Sequence, residues 1–439
     1  MFFRGFFFFS ILAFLDPLPV AAQAEDLLTL EKCIELTLAN NQEIAGGNYG
    51  VQAAEAQLSE AQANFWPVID YQYRAAPVPQ NVDTALQSFF GGDITMFNSV
   101  SLGIGVPLTG FGQLKKAQEL ARTGVAAAQQ KRQKTAADRV LDVKKLYYGI
   151  QLGYEAENII ADALKKIDQK IRDDEKKELP EISPIDMAQL KLFRLELLKR
   201  EQEVFNNTKL AEQGLRIQIG LPDTSPVRLA SYRLAPQAAD LSSMEKYFGE
   251  KLPQQNDAKL AELGVEAKRQ MYELEKSKLR PRLGVGAFLE TGKTVSAIQG
   301  LNSPDDFNDP FNYARAGLGL QLEGRFDFHG ASSKIRRAEA EYYKANIERN
   351  IAVRGLDLKA QKAFLQAQKA KNDVARATEG KKLARQMTFL SKSNLDLGVG
   401  DSKSYADALK TYLQCKGDYV QAVFHYNVAL AELEQVSAR

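Results

Sequence analysis

Two histidines, His329 and His425, and two cysteines, Cys33 and Cys415, are the whole stock of imidazoles and thiols in a chain of 439 residues. A histidine-based metal centre or a catalytic triad needs several such groups converging on one point, and this inventory nearly excludes both. Two cysteines also exclude a Cys-rich metal site and a disulfide-stapled scaffold. Tyr, Asp and Lys are plentiful, yet no nucleophile elbow, phosphate loop or metal-ligand spacing appears. The reading is therefore no enzyme, no metal and no cofactor. The chemistry that spacing does offer lies at helix ends. Ser183-Pro184-Ile185-Asp186 carries Ser at an N-cap, Pro at the first helical position and Asp at the third. Ser404-Tyr405-Ala406-Asp407 repeats the Ser-x-x-Asp pattern later in the chain. Lys plus Arg total 57 against 55 for Asp plus Glu, so the net charge of +2 gives no drive toward nucleic acid.

The elements that must carry these caps are very long. Segments 113–177 and 331–395 each read as one helix of about 65 residues, roughly 100 Å at 1.5 Å per residue. Leu146, Ile150, Gly153, Glu157, Ile160, Leu164, Ile167 and Ile171 alternate steps of four and three. Ala360, Ala363, Ala367, Ala370, Val374, Ala377, Lys381 and Ala384 do the same. A mean step of about 3.5 is the seam of packed, supercoiled helices. Shorter helices over 184–219 and 404–436 follow sharp turns, Leu179-Pro180-Glu181 in one half and Leu397-Gly398-Val399-Gly400 in the other. Neither short helix can cover its long partner. Segments 27–64 and 257–278 supply the missing cover if stacked end to end with the short helices, which makes a rod.

Four further segments alternate with a period of two. Ile69, Tyr71, Tyr73 and Ala75 share one face; so do Val100, Leu102, Ile104, Val106 and Leu108. Leu283, Val285, Ala287 and Leu289, then Ala316, Leu318, Leu320 and Leu322, repeat the pattern. The opposite faces are small or polar. A sandwich core and a lipid-facing barrel both give this alternation. The long polar connections 80–96 and 291–311, and the lack of a second apolar sheet, favour the barrel. Four strands cannot close one, because about eight is the minimum and open edges are not tolerated in lipid. Several copies must share the barrel; three copies would leave a lumen, and the Gly- and Ser-rich inner faces suit one.

The N-terminus reads as an export signal over residues 1–24. A basic start at Arg4 precedes an apolar run of about ten residues, too short to span a bilayer, and Ala22-Gln23-Ala24 is a small-x-small cleavage site. The body is then written twice: residues 25–220 hold strands at about 66–78 and 97–108 and a helical hairpin over 113–219. Residues 254–436 hold strands at about 281–290 and 312–325 and a hairpin over 331–436. Between them, 221–253 carries Pro222, Pro226, Pro236 and Pro253 and reads as a connector or equatorial segment. In the rod, Cys33 and Cys415 stand tens of ångströms apart, far beyond the roughly 7 Å that a bridge allows, so both are expected unpaired.

Read whole, the chain resembles the TolC-type outer-membrane efflux proteins. The carrying segments begin with Leu30-Glu-Lys-Cys-Ile-Glu-Leu-Thr-Leu-Ala-Asn-Asn41, then Val51-Gln-Ala-Ala-Glu55 and Ala61-Gln-Ala-Asn-Phe-Trp-Pro67. Val106-Pro-Leu108 with Phe111-Gly112, Ser183-Pro-Ile-Asp186, Ile219-Gly-Leu-Pro222 and Leu397-Gly-Val-Gly400 complete them. The resemblance implies a homotrimer in the bacterial outer membrane, with a shared 12-stranded barrel in lipid and a helical barrel reaching into the periplasm. It implies a passive exit duct of a tripartite efflux or type I secretion system. Its partners would be a periplasmic adaptor (membrane fusion) protein and an inner-membrane pump or ABC transporter. It makes Leu397, Gly398, Val399 and Gly400, with Leu179 and Pro180 at the first tip, the adaptor-docking residues; the first tip departs from the family in lacking glycine. It makes Asp407 and Asp186 candidates for a pore constriction, although Asp407 can equally serve only as the capping partner of Ser404. The rival reading, a periplasmic coiled-coil adaptor or scaffold, explains the helices and the export signal but not four alternating strands in duplicate.

Overall fold

The computed structural model describes residues 27–81, 84–176, 183–245, 254–295, 311–324, 327–397, 399 and 402–437. The expected export signal lies outside them. The first half runs α1 (Leu30–Asn40), α2 (Gln42–Ala63), β1 (Val68–Pro79), α3 (Ala85–Gly91), β2 (Ile94–Thr109), α4 (Gln113–Glu175) and α5 (Pro184–Ile219). The second runs α6 (Asn256–Ser277), β3 (Arg282–Thr294), β4 (Tyr313–Glu323), α7 (Phe328–Asp396) and α8 (Ser402–Val436). Helix, two strands, long helix, short helix thus occurs twice. No described helix is long and apolar enough to cross a membrane.

Both long helices form because their seams bury. On α4, Ile150, Ile160, Leu164, Ile167 and Ile171 are buried; on α7, Ala360, Ala363, Ala367, Ala370 and Ala384 are. The α4 seam meets α5 at Leu197, while the alanines of α7 are covered by Tyr426, Leu430, Leu433 and Val436 of α8. Gly153 has a specific reason to be glycine. A Cβ there would lie 2.1 Å from Thr208 Oγ1, so the close approach of α4 and α5 requires its absence.

Four columns result. α4 packs against α2 and α5 on one side and against α6 and α8 on the other, and α7 packs on α6 and α8. The short helices stack as expected, through joints that periodicity alone does not reveal. The covering segment 27–64 is two helices rather than one column, broken at Asn41 with extended backbone (φ −66°, ψ 127°). Asn41 Oδ1 accepts from the amides of Glu43 and Ile44 at 3.0 and 3.3 Å, capping α2. Its own amide donates to the Gln218 carbonyl at 3.1 Å, at the end of α5. Asn40 donates to the Ile219 carbonyl at 3.4 Å. α5 stops at Gly220 in the left-handed region (φ 69°), where a Cβ would stand 2.7 Å from that of Asn40. At the other joint, α4 bridges the start of α6 and the end of α8. Gln130 donates to Asn256 at 2.5 Å, Lys134 pairs with Asp257, and Lys144 pairs with Glu434 at 2.7 Å.

Residues 221–245 form a belt across the columns. Leu28 and Leu229 form a parallel bridge, Gln151 of α4 donates to the Ser231 carbonyl at 2.9 Å, and Asn427 of α8 donates to Ala235 at 2.9 Å. Leu229 and Leu234 are buried in the main core with Cys33, Val143, Tyr147, Leu215 and Ile219. Cys33 and Cys415 are both free thiols.

Candidate functional site

The strands make one antiparallel sheet in the order β1-β2-β3-β4. Its register gathers the apolar residues of all four strands on one face. Ile69 faces Ile104, Tyr71 faces Leu102, and Tyr73 faces Val100. Leu102 then faces Leu289, and Ala287 faces Leu318. These side chains are exposed: Tyr71 is 84% and Leu318 86% accessible. An apolar face this broad on a water-borne sheet would have no cover, whereas lipid provides one. Trp66 and Phe65, exposed just before β1, mark where that face meets the helices, the level at which aromatic residues sit in a membrane protein.

The opposite face carries Asp70, Gln72, Ser99, Ser101, Gly103, Gly105, Gly284, Gly286, Gly317 and Gly319. Phe288 interrupts it. The ring lies beside Gly103 and Gly317 in register, and a Cβ at Gly317 would meet it at 2.8 Å. A large side chain on the small-residue face thus takes up room that neighbouring glycines leave, an arrangement that the alternation did not signal. Within the connection 80–96, expected to be a plain polar loop, α3 presents Leu86, Phe89 and Phe90 to the outside.

The sheet joins the helical columns through a tight turn. Phe111 (φ 47°) and Gly112 (φ 96°) are both left-handed and start α4, and Arg280 donates to the Phe111 carbonyl at 2.8 Å. In the second half Asp327 caps α7 by accepting from the Gly330 amide at 2.9 Å.

At the far end stand the tips. Leu179, Pro180, Gly398 and Gly400 lie outside the described residues. Leu397 and Val399 are 76% and 83% exposed, and Val399 N–H donates to the Asn394 carbonyl at 3.0 Å, the six-to-one bond that closes a helix end. The first cap is as expected: Ser183 Oγ accepts from the Asp186 amide at 3.2 Å and donates to the Asp186 carboxylate at 2.9 Å. The second is corrected. α8 begins at Ser402, so Ser404 is its third residue and not its N-cap, and Asp407 stands well inside the helix, exposed. Its carbonyl accepts from Thr411 Oγ1 at 2.9 Å, and among the described residues nothing is bonded to its carboxylate.

Asp186 and Asp407 line one cleft of about 500 Å³ between the two hairpins, with Asp173 and Asp396. The same walls carry Lys166, Lys170, Lys392, Lys403 and Lys410, so four carboxylates meet five ammonium groups. Lys410 leans over the Phe193 ring at 5.4 Å. Within one chain, therefore, the cleft is not acidic on balance.

Perturbed groups elsewhere serve packing. Burial, with Glu31 nearby, pushes the Cys33 thiol up to about 11. Burial first, and then the bond it donates to Glu212 at 2.9 Å, raise the Tyr154 phenol; Tyr154 also packs on Tyr232 of the belt with ring centroids 4.1 Å apart. Neither arrangement has the base and oriented partner that nucleophilic catalysis needs.

Residues 33–177 match the family model for outer membrane efflux proteins. No curated protein matches the chain by sequence. Among solved structures, a membrane protein from Pseudomonas aeruginosa is 15% identical with a TM-score of 0.76, covering 94% of this chain and 93% of that one. The CmeC outer membrane channel of Campylobacter jejuni is 14% identical with a TM-score of 0.74, over 93% and 85% of the two chains. The open-state MtrE outer membrane channel of Neisseria gonorrhoeae is 14% identical with a TM-score of 0.75, over 93% and 88%. At these identities the likeness is one of fold. Taken with the family match over residues 33–177 and a sheet whose apolar face has no cover but lipid, it gives the chain the fold of the outer membrane efflux channels, which stand in the bacterial outer membrane and extend into the periplasm.

Proposed function

We propose that three copies close a twelve-stranded barrel over a helical tunnel, which serves as the exit duct for an inner-membrane pump reached through a periplasmic adaptor. The observation that carries this reading is the four-stranded sheet with its apolar face outward and both edge strands, β1 and β4, bonded on one side only among the described residues. Unpaired edges cost several kcal/mol per group in lipid, so another copy must satisfy them. Two copies would give eight strands and a plugged interior; three leave a lumen, which suits the glycine-rich inner face. The helices support the same closure. α7 has described neighbours on one side only and exposes Tyr343, Ile347, Ile351, Leu358 and Leu365 at coiled-coil spacing. α5, in the column at the other end of the row, exposes Leu192, Leu195, Leu210 and Ile217.

In this assembly Leu397, Gly398, Val399 and Gly400, with Leu179 and Pro180, form the periplasmic end and dock the adaptor. The exposure of Leu397 and Val399 supports that role, since apolar side chains at a helix turn otherwise gain nothing from facing water. Asp407, whose carboxylate makes no bond among the described residues, forms with Asp186 the narrow part of the tunnel. Purified protein in planar bilayers should conduct, and Asp407→Asn should reduce cation preference. Val399→Asp should abolish export without lowering the yield of assembled channel. An assembled protein that never conducts would refute the duct, and unchanged export in Val399→Asp would refute the docking.

A further inference from the structure

The α7 seam is alanine at most of its buried steps, from Ala360 to Ala384, but one step is Lys381. A lysine at a coiled-coil core step costs stability unless its charge has a use. Lys381 is half-buried. Its ammonium lies 3.4 Å from the centroid of the Tyr419 ring, and burial, then the like charge of Lys416, hold it below the usual lysine range.

Around it is a pocket of about 470 Å³ under the belt. Its walls bring Lys381, Lys382 and Arg385 from α7 together with Lys416 from α8 and Arg233 from the belt. The only carboxylate among the lining residues is Glu155 of α4. None of the five cations has an ion pair within 4 Å among the described residues. Elsewhere on α7 and α8 a carboxylate meets a cation of a neighbouring helix, as in Lys144–Glu434 and Lys268–Glu341, at 2.7 and 2.8 Å. The site is also built. Leu234 and Val420 are buried beneath it, and Arg233 is held between Leu234 and Tyr232, whose ring packs on Tyr154. Tyr412 and Tyr419 add hydroxyl groups to the lining. Five converging cations with one counter-charge among the lining residues, Lys381 and Lys416 half-buried and Arg233, Lys382 and Arg385 exposed, have the electrostatics of an anion receptor.

We propose that this pocket is a binding site for a compact polyanion of the phosphate class, one site per chain, away from the exposed α8 face that carries Asp407. The volume exceeds that of a single phosphate ion and falls within the range of small-molecule sites. Arg233 and Arg385 can each grip an oxyanion edge with two N–H groups, whereas Lys381, Lys382 and Lys416 act as point charges. Ligand charge would also relieve the repulsion between Lys381 and Lys416.

The test is calorimetry on the whole detergent-solubilised protein, with inorganic pyrophosphate as the probe. The expected result is saturable binding at one site per chain that weakens steeply with salt. Lys382→Ala with Arg385→Ala, both exposed and outside the core, should weaken it by roughly tenfold or more per cation removed. Lys381→Met should do the same while leaving thermal unfolding near the parent value, because the stem that packs in the seam is kept. Lys199→Ala, on the exposed face of α5, should change nothing. No saturable binding, binding indifferent to the double substitution, or equal loss with Lys199→Ala would overturn the proposal. A hexaglutamate peptide provides the competing arm. Tight binding of the peptide that pyrophosphate cannot displace would mean a protein-docking surface, and would also overturn it.

Discussion

In the first hairpin, α4 and α5 meet through Ile160, Leu164, Ile167, Ile171 and Leu197; in the second, α7 offers alanines and α8 fills them with Tyr426, Leu430, Leu433 and Val436. The topology is the same and the distribution of bulk is reversed. The cause is position in the row of columns. α4 stands in the middle, with helices on both sides, so its large side chains are buried along most of its lower half. α7 stands at an end; its alanines, with Leu356 and Phe364, face inward where α8 closes, and Tyr343, Ile347, Ile351, Leu358 and Leu365 face outward. Duplication thus supplies the architecture, and divergence of the seams decides which helix is central and which stands at the end of the row with apolar side chains exposed.

The sharpest break of that comparison is to charge the outward seam. Ile351→Asp with Leu358→Asp should eliminate the assembled channel while each chain keeps its helical content, checked by circular dichroism and by native gels in detergent. The paired change on the inward side of α4, Ile167→Asp, should instead unfold the hairpin itself. If the α7 variant assembles normally, that helix does not wait for a neighbour.

Next in size is the close approach in the first hairpin. Gly153→Ala drives a methyl group into Thr208, which is buried and already donates to the Val204 carbonyl at 2.8 Å. Overpacking of this kind should cost about 1–3 kcal/mol in chemical denaturation. Gly355→Ala on α7, with open space around its Cβ position, should be neutral or stabilising.

Helix caps differ between the halves by a smaller amount. Ser183→Ala removes the bond to the Asp186 amide and should cost about 1 kcal/mol. Ser404→Ala, at the third residue of α8 rather than at its N-cap, should cost less by the same measurement. Equal losses would restore the cap that the structure removes from Ser404.

The thiols separate the halves chemically. Cys33 is fully buried and its thiol is pushed up to about 11, so it stays protonated at pH 8 and should resist alkylation until the chain unfolds. In the folded chain its reactivity should rise only as pH rises through that raised value. Mass spectrometry of non-reduced protein should find both Cys33 and Cys415 labelled after unfolding. A Cys33–Cys415 bridge would contradict the stacking of the columns.

Much of this architecture was legible because it is periodic. The period of two in Val100, Leu102 and Ile104 could only be a one-sided sheet, and the spacing of Ile160, Leu164, Ile167 and Ile171 could only be a helix seam. What escaped is what has no period. Asn41 looks like another helical residue until its side chain is seen capping α2 and reaching Gln218. The belt is extended and irregular, so nothing in its sequence reveals that Gln151 and Asn427 will hold it. Phe288 breaks the small-residue face, and only the register with Gly103 and Gly317 shows where it fits. Ser404 matches the Ser-x-x-Asp pattern by composition, but the helix starts two residues earlier, at Ser402. The tip residues were recognisable by resemblance, but a cleft that mixes four aspartates with five lysines depends on how two hairpins meet, which no single segment encodes.

The central claim is that each chain holds one third of a barrel. Native mass spectrometry of the protein released from detergent micelles measures this directly. The account predicts a complex of three chains that converts to single chains in the Ile351→Asp, Leu358→Asp variant. A parent protein that flies as one chain or two from mild detergent would contradict it, because β1 and β4 would then face lipid with unpaired edges or enclose an interior too narrow to conduct.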